Sequence, residues 1–235
     1  MPITISSLCK RFGDLVVFKD LNLTFQDQAV TAVLGPSGCG KTTLLNIISG
    51  VEDKEAGTIL GTDKRKISYL FQEPRLLPWK NVYANVEFLL LDIMSPEERK
   101  LRVEHFLKLV SLNEFSHYYP HTLSGGMKQR VSMARAFAYP ADILLMDEPF
   151  QALDLRLKIG LAKSFNMLFL EEERTAVFVT HDIHEALMLG DEIVVFSQRP
   201  GEVRDRIINP VPRRERSLSN ELLLKIEKRL YTLLR

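Results

Sequence analysis

Cysteine is scarce, charge is nearly balanced, and long apolar runs are missing. Only two of the 235 residues are cysteine, which leaves no disulfide framework or thiolate metal cluster and agrees with a reducing compartment. Lys and Arg number 31 against 30 Asp and Glu, a formal charge of +1, so electrostatics give no case for a nucleic-acid partner. The basic excess after Arg199 is scattered enough to read as a solvated face. No stretch approaches the length of a bilayer span, and the amino terminus lacks a positive segment followed by a long apolar one. A cytoplasmic location is expected. With 46% hydrophobic and 26% charged residues, the composition suits a substantial core in one α/β domain, with or without a smaller lobe.

The organising stretch is GPSGCGKTT, Gly35 to Thr43. The apolar β-prone run Val30 to Leu34 precedes it, and Leu44, Leu45, Ile47 and Ile48 follow at a spacing that suits a helix facing a core. In this strand, turn and helix context, G-x-x-x-x-G-K-[ST] is a phosphate-binding loop. Gly35, Gly38 and Gly40 permit tight turns, and Pro36, Ser37, Cys39 and Thr43 complete the cradle. Lys41 is placed to reach the β- and γ-phosphates, and Thr42 to offer its hydroxyl to Mg²⁺. Cys39 lies among N–H groups beside Lys41, a setting that favours thiolate; it reads as a spacer rather than a nucleophile. The pattern does not choose between ATP and GTP.

Elsewhere the chain alternates strands and helices. The first 34 residues read as short strands, with Asp20-Leu-Asn22 and Gln26-Asp-Gln28 as turns. Phe12 is either a core aromatic or an adenine-stacking ring. Gln72 closes a short strand that Pro74 terminates, so its amide stands near a loop; it is a surface glutamine or a contact to Mg²⁺ or water. Leu76, Leu77 and Trp79 form an apolar cluster, either buried or partner-binding. Helical patterns span Val82 to Leu91 and Glu97 to Leu112, the second with Leu101, His105, Leu109 and Leu112 on one face. Ser124, Gly125 and Gly126 open another helix, Ser124 as cap and the glycines leaving an anion access to N–H groups.

Ile143 to Met146 reads as a buried parallel strand that ends in Asp147 and Glu148, at the edge where α/β sheets bind ligands. Asp147 suits Mg²⁺, and Glu148 suits the general base for a water beyond the γ-phosphate. Ala152 to Asp154 form a turn before a helix from Leu155. His181 stands at the exit of the strand Thr175 to Thr180, either a capping histidine or one that contacts the γ-phosphate and orients Glu148. Pro210, Pro212, Arg213 and Arg214 mark a linker, and Leu218, Leu222, Ile226, Leu230 and Leu233 give a terminal amphipathic helix.

The chain resembles the nucleotide-binding ATPase subunit of an ABC transporter from about Ile3 to Ile208, on the strength of LSGGMKQR (Leu123 to Arg130) between the phosphate loop and LLMDEP. The resemblance implies an α/β fold: a P-loop NTPase core, an amino-terminal antiparallel β subdomain and an inserted helical signature subdomain near residues 83–138. Residues 1–208 would form that domain, and 209–235 the linker and terminal helix. It favours ATP with Mg²⁺, makes Phe12 the adenine-stacking ring and His181 the switch histidine, and adds Asp154 as a dimer contact. It further implies a head-to-tail homodimer in which the other chain's Ser124 to Gly126 complete the site. Expected partners are two transmembrane permease subunits and, indirectly, a solute-binding protein, which would hold the chain at the cytoplasmic face of the membrane. FQEPRLLPWKNV (Phe71 to Val82) looks most like import subunits of the nitrate, sulfonate, taurine and pyrimidine-precursor group, with Leu76, Leu77 and Trp79 lining a permease groove. The alternative is the ATPase of an export or lipoprotein-release system. Gln151 departs from the family, which more often has a small residue there, and reads as a surface or dimer-contact variation.

Overall fold

The computed structural model describes residues 1–151 and 153–234. Ala152, within the expected turn before Asp154, and the terminal Arg235 lie outside the described residues. The chain begins with β1 (Ile3–Phe12), β2 (Leu15–Phe25), β3 (Val30–Leu34), α1 (Lys41–Ser49), β4 (Ala56–Leu60) and β5 (Ile67–Leu70). Helices α2 (Val82–Glu87), α3 (Pro96–Leu109) and α4 (Gly125–Ala138) follow, and then β6 (Ile143–Asp147), α5 (Leu155–Glu171) and β7 (Thr175–Thr180). The last elements are α6 (Ile183–Leu189), β8 (Glu192–Phe196), β9 (Val203–Ile208) and α7 (Glu221–Leu233).

Two sheets organise these elements. One is antiparallel, in the order β2-β1-β4; the other has six strands in the order β5-β6-β7-β3-β8-β9. Every pair in the larger sheet is parallel except β8 with β9. Its central strands are buried throughout and mostly apolar, as strands covered on both faces are. Ile143 and Leu145 of β6 face α1 and the antiparallel sheet, whereas Leu144 and Met146 face the helical side. The same alternation runs through β7 and β8, as a period of two requires. Helices α2 to α4 are inserted between β5 and β6, which are direct neighbours in the sheet. This is the α/β architecture that the motifs imply.

Three local expectations change. Asp20 does not end a strand: β2 runs through it, with φ +58° at Asp20 and a register shift opposite β1, so the polar residue makes a bulge. On α3 the buried stripe is Val103, Phe106 and Leu107, while Leu101 is 69% exposed. Val103, Phe106 and Leu107 stand at i, i+3 and i+4 and join the main hydrophobic cluster, and the Arg102 guanidinium lies 5.1 Å over the Phe106 ring. On α7 the inward residue is Leu223 rather than Leu222, followed by Ile226, Leu230 and Leu233 at helical spacing.

Helix α7 packs back onto the domain. Its approach is fixed by Asp191, which stands between α6 and β8. Asp191 Oδ2 accepts from the Val30 N–H at 2.8 Å, and Oδ1 accepts from Arg213 Nε at 2.9 Å and Arg216 Nη2 at 2.7 Å. Burial alone raises the Asp191 carboxyl, but the two guanidiniums and the Val30 N–H overcome that and hold it below the ordinary carboxylate range. One carboxylate therefore ties the carboxy-terminal linker to the start of the phosphate-loop strand. A depressed carboxyl stabilises the fold above its unfolded pKa of about 4, and that contribution is lost as pH falls through the lower folded value. Replacing Asp191 by Asn is expected to cost about 3 kcal/mol at neutral pH, or a drop of about 6–12 °C in melting temperature. It should also flatten the loss of stability between neutral and acid pH; an unchanged acid limb in thermal melts would contradict the clamp.

Candidate nucleotide site

The carboxy ends of β3, β6 and β7 lie level in the parallel register: Leu34 pairs with Thr180, and Asp147 with Val179. The residues that follow these strands therefore emerge together. They border a cleft of 460 Å³ lined by Phe12, Ser37, Gly38, Gly40, Lys41, Thr42, Thr43, Gln72, Glu148 and His181. Gly35, Pro36, Cys39 and Asp147 are not among its lining residues. Ser124, Gly125, Gly126 and Asp154 are absent from its lining.

The loop needs its glycines for different reasons. Gly40 has φ +108°, and a Cβ there would lie 2.7 Å from Val17 Cγ1 and 2.8 Å from Phe18 Cζ. Gly35 has no such backbone demand but presses against Phe196, at 3.0 Å from an added Cβ to Phe196 Cβ. These contacts wedge the loop between the two sheets. Lys41 is buried and donates to the Gly35 carbonyl at 2.7 Å and the Pro36 carbonyl at 2.9 Å. Thr42 donates its hydroxyl to Asp147 Oδ1 at 3.2 Å, joining the loop helix to the end of β6.

Asp147 is 3% exposed. Burial pushes its carboxyl up, only partly opposed by Thr42 and Lys41, and adjacent Glu148 adds to the rise. A desolvated carboxylate beside a hydroxyl and within reach of phosphate is a hard-oxygen donor set that fits Mg²⁺, which takes one or two protein oxygens and completes its shell with phosphate and water.

Glu148 has φ +46°, a conformation that costs a non-glycine residue of order 1–3 kcal/mol. Its N–H donates to Val179 O at 3.0 Å, which fixes the turn against β7. Oε1 lies 3.1 Å from His181 Nδ1, while Oε2 is buried without a protein partner. A carboxylate oxygen so placed awaits a proton donor. His181 stands on a braced backbone. The Thr180 hydroxyl donates to Glu185 Oε2 at 2.6 Å and accepts from the Asp182 N–H at 3.0 Å, and Lys158 donates to Glu185 Oε1 at 2.8 Å. Burial pushes the Glu185 carboxyl up, against the pull of Lys158 and Thr180.

Phe12 lines the cleft and is 47% exposed, so it is not a core aromatic. Ser124 caps α4, accepting from the Met127 N–H at 3.3 Å, and Asp154 caps α5, accepting from the Leu157 N–H at 3.0 Å.

A family profile described as ABC transporter matches residues 18–151. The chain belongs to the ABC transporter ATPases. As a member it binds and hydrolyses ATP. A putative ATP-binding protein of Brucella abortus is 40% identical over 91% of this chain and 85% of its own length. The sulfate/thiosulfate import ATP-binding protein CysA of Neisseria meningitidis serogroup B is 42% identical over 84% of this chain, which spans 59% of that protein. Among solved structures, the ATP-binding cassette MJ0796, dimeric in a post-hydrolysis state with ADP and Pi, superimposes with a TM-score of 0.79 at 31% identity, covering 89% of this chain and 99% of that one.

The similarity to sulfate/thiosulfate importers overturns the assignment to the nitrate, sulfonate, taurine and pyrimidine-precursor group. That assignment rested on Phe71 to Val82. An apolar stretch there answers to any docked helix and carries no information about a solute. Three further residues of this ABC ATPase lie in the cleft without having been anticipated: Leu15, Val17 and Arg199. Gln151, read as a surface or dimer-contact variation, also lines it and accepts from Gln72 Nε2 at 2.8 Å. Only the adjacency of β8 to β3 brings Arg199 near the loop, and no linear motif marks it.

Cys39 has the surroundings of a spacer rather than of a nucleophile. The side chain is 1% exposed and burial pushes its thiol up, more than Lys41 lowers it. Half-buried Cys9 should therefore be alkylated by iodoacetamide at neutral pH at least about tenfold faster than Cys39. Mass spectrometry of partially modified protein reads the ratio, and preferential labelling of Cys39 would contradict its burial.

Proposed function

We propose that the cleft holds ATP with its triphosphate on the 35–43 loop, and that two copies arranged head-to-tail hydrolyse it to drive solute import. Loop N–H groups and the start of α1 attract the phosphates. Lys41 adds its ammonium at the β- and γ-phosphates. Phe12 offers its exposed ring to the adenine. Mg²⁺ would be held by the Thr42 hydroxyl, the Asp147 carboxylate and the Gln72 amide oxygen, and supplies neutralisation of phosphate charge when bound.

The observation that carries this reading is the Glu148 and His181 pair at the mouth of the cleft, with Glu148 Oε2 free to accept a proton. A water facing the γ-phosphorus transfers its proton to Glu148 as its oxygen attacks. The bond to the β-phosphate oxygen breaks, giving ADP and inorganic phosphate. His181 orients Glu148 and meets the γ-phosphate. Ser124, Gly125, Gly126 and Asp154 are absent from the cleft lining of their own chain, and the Ser124 to Gly126 helix start of the second copy, with Asp154 at the contact, would close the site over the γ-phosphate.

Import also requires attachment to a membrane. No described helix is long and apolar enough to cross one, so the chain would bind two permease subunits at the cytoplasmic face, with a solute-binding protein acting through them. Trp79 is 70% exposed in the segment after Gln72, a position where an aromatic anchor can grip a permease helix. The importing ATPase relatives support the direction of transport.

Glu148→Gln should retain ATP binding and ATP-dependent dimerisation in light scattering while turnover falls by at least about 100-fold. Wild-type-like hydrolysis would remove Glu148 from the role of base, and co-purification with an export-type membrane pair would overturn the direction.

A further inference from the structure

Arg199 is an arginine over the phosphate loop to which the motif residues give no task. Its guanidinium lines the cleft, with Nη2 3.8 Å from where a Cβ on Gly38 would stand. The side chain is exposed, and among the described residues no ion pair within 4.0 Å involves it. The guanidinium lies beside Gly38 of the loop, whereas Glu148, the one carboxylate among the lining residues, follows β6.

The turn that presents Arg199 is built rather than loose. Ser197 Oγ donates to the Gln198 carbonyl at 2.6 Å and accepts from the Glu202 N–H at 3.0 Å, and the Ser197 N–H donates to Glu202 O at 2.9 Å. Gly201 anchors it on two sides. Its N–H donates to Val17 O at 2.8 Å in β2, and a Cβ on Gly201 would come within 2.5 Å of the Cys39 carbonyl. The base of Arg199 is thus fixed both to the strand beside the adenine ring site and to the phosphate loop. Only the side chain is left to move.

We propose that Arg199 is a second cation of the phosphate cradle, binding the phosphate chain of ADP and ATP over Gly38. Lys41 sits low in the loop, engaged by the Gly35 and Pro36 carbonyls, and reaches the phosphates as a point charge. A guanidinium offers several N–H donors in a planar fork, suited to two phosphate oxygens at once. It acts on the diphosphate common to substrate and product, so its effect falls on affinity rather than on the hydrolytic step. The inference rests on the cleft being the nucleotide site.

The test measures dissociation constants of ATP, ADP and adenosine for the full-length chain by calorimetry, with adenosine read by competition. Arg199→Ala should weaken ADP and ATP by about tenfold or more, as loss of a charge-assisted contact does, with adenosine changed less than twofold. Arg199→Lys should recover part of the loss, and the salt dependence of ADP binding should be shallower in Arg199→Ala. Equal losses for ADP and adenosine would overturn the proposal in favour of base stacking, and an unchanged ADP constant would overturn it outright. Lys41→Ala separates the two levels. If it leaves ADP binding intact, the cleft is not the nucleotide site; if it abolishes binding while Arg199→Ala does not, only the role of Arg199 fails.

Discussion

The level alignment of β3, β7 and β6 is the constraint on which the site depends. Because these strands are apolar on both faces, polarity alternation cannot set their register. Polar groups at the amino ends do so instead. Asp142 accepts from the Lys66 N–H at 2.7 Å, Thr175 donates its hydroxyl to Asp27 Oδ1 at 2.8 Å, and Arg65 donates to both Asp27 and Thr175 at 3.0 Å. With that end pinned, the carboxy ends deliver the phosphate loop, Asp147 with Glu148, and Thr180 with His181 to one edge. The Thr42 to Asp147 hydrogen bond then closes the assembly from the opposite side.

The geometry at this edge costs stability locally. Glu148 holds a left-handed backbone and an unpartnered buried oxygen, and Lys41 is buried against carbonyls. The two hydrophobic clusters on either side of the sheet and the Asp191 clamp offset those costs. Lys158 links two functional segments, since α5 starts at the Asp154 cap and Lys158 bonds Glu185 and Asp182 of the helix that follows His181.

Much of this was legible in the sequence because the chemistry is local there. The phosphate loop is nine consecutive residues, the carboxylate pair closes an apolar strand, and His181 directly follows another, so motif and position coincide. What stayed hidden was set by distant packing. Asp20 becomes a bulge because β1 pairs with it on both sides of the irregularity. The inward face of α3 is the one on which Val103, Phe106 and Leu107 join the main hydrophobic cluster, and α7 turns Leu223 inward because of where β9 and α6 lie. Arg199 enters the cleft through the order of strands, and Cys39 is masked by a second sheet, neither of which a linear pattern records. The solute group was misread because the stretch Phe71 to Val82 reports shape and apolarity alone.

The central claim is that each ATP is enclosed by the phosphate loop of one chain and the Ser124 helix start of another. Mixing tests it directly, using one preparation of Lys41→Ala and one of Ser124→Arg, each inactive alone. In a mixed dimer the intact loop of the Ser124→Arg chain meets the intact helix start of the Lys41→Ala chain, and one whole site is restored. The account predicts that ATPase activity of the mixture rises well above the sum of its parts. A mixture that exchanges subunits yet stays as inactive as its components would contradict it.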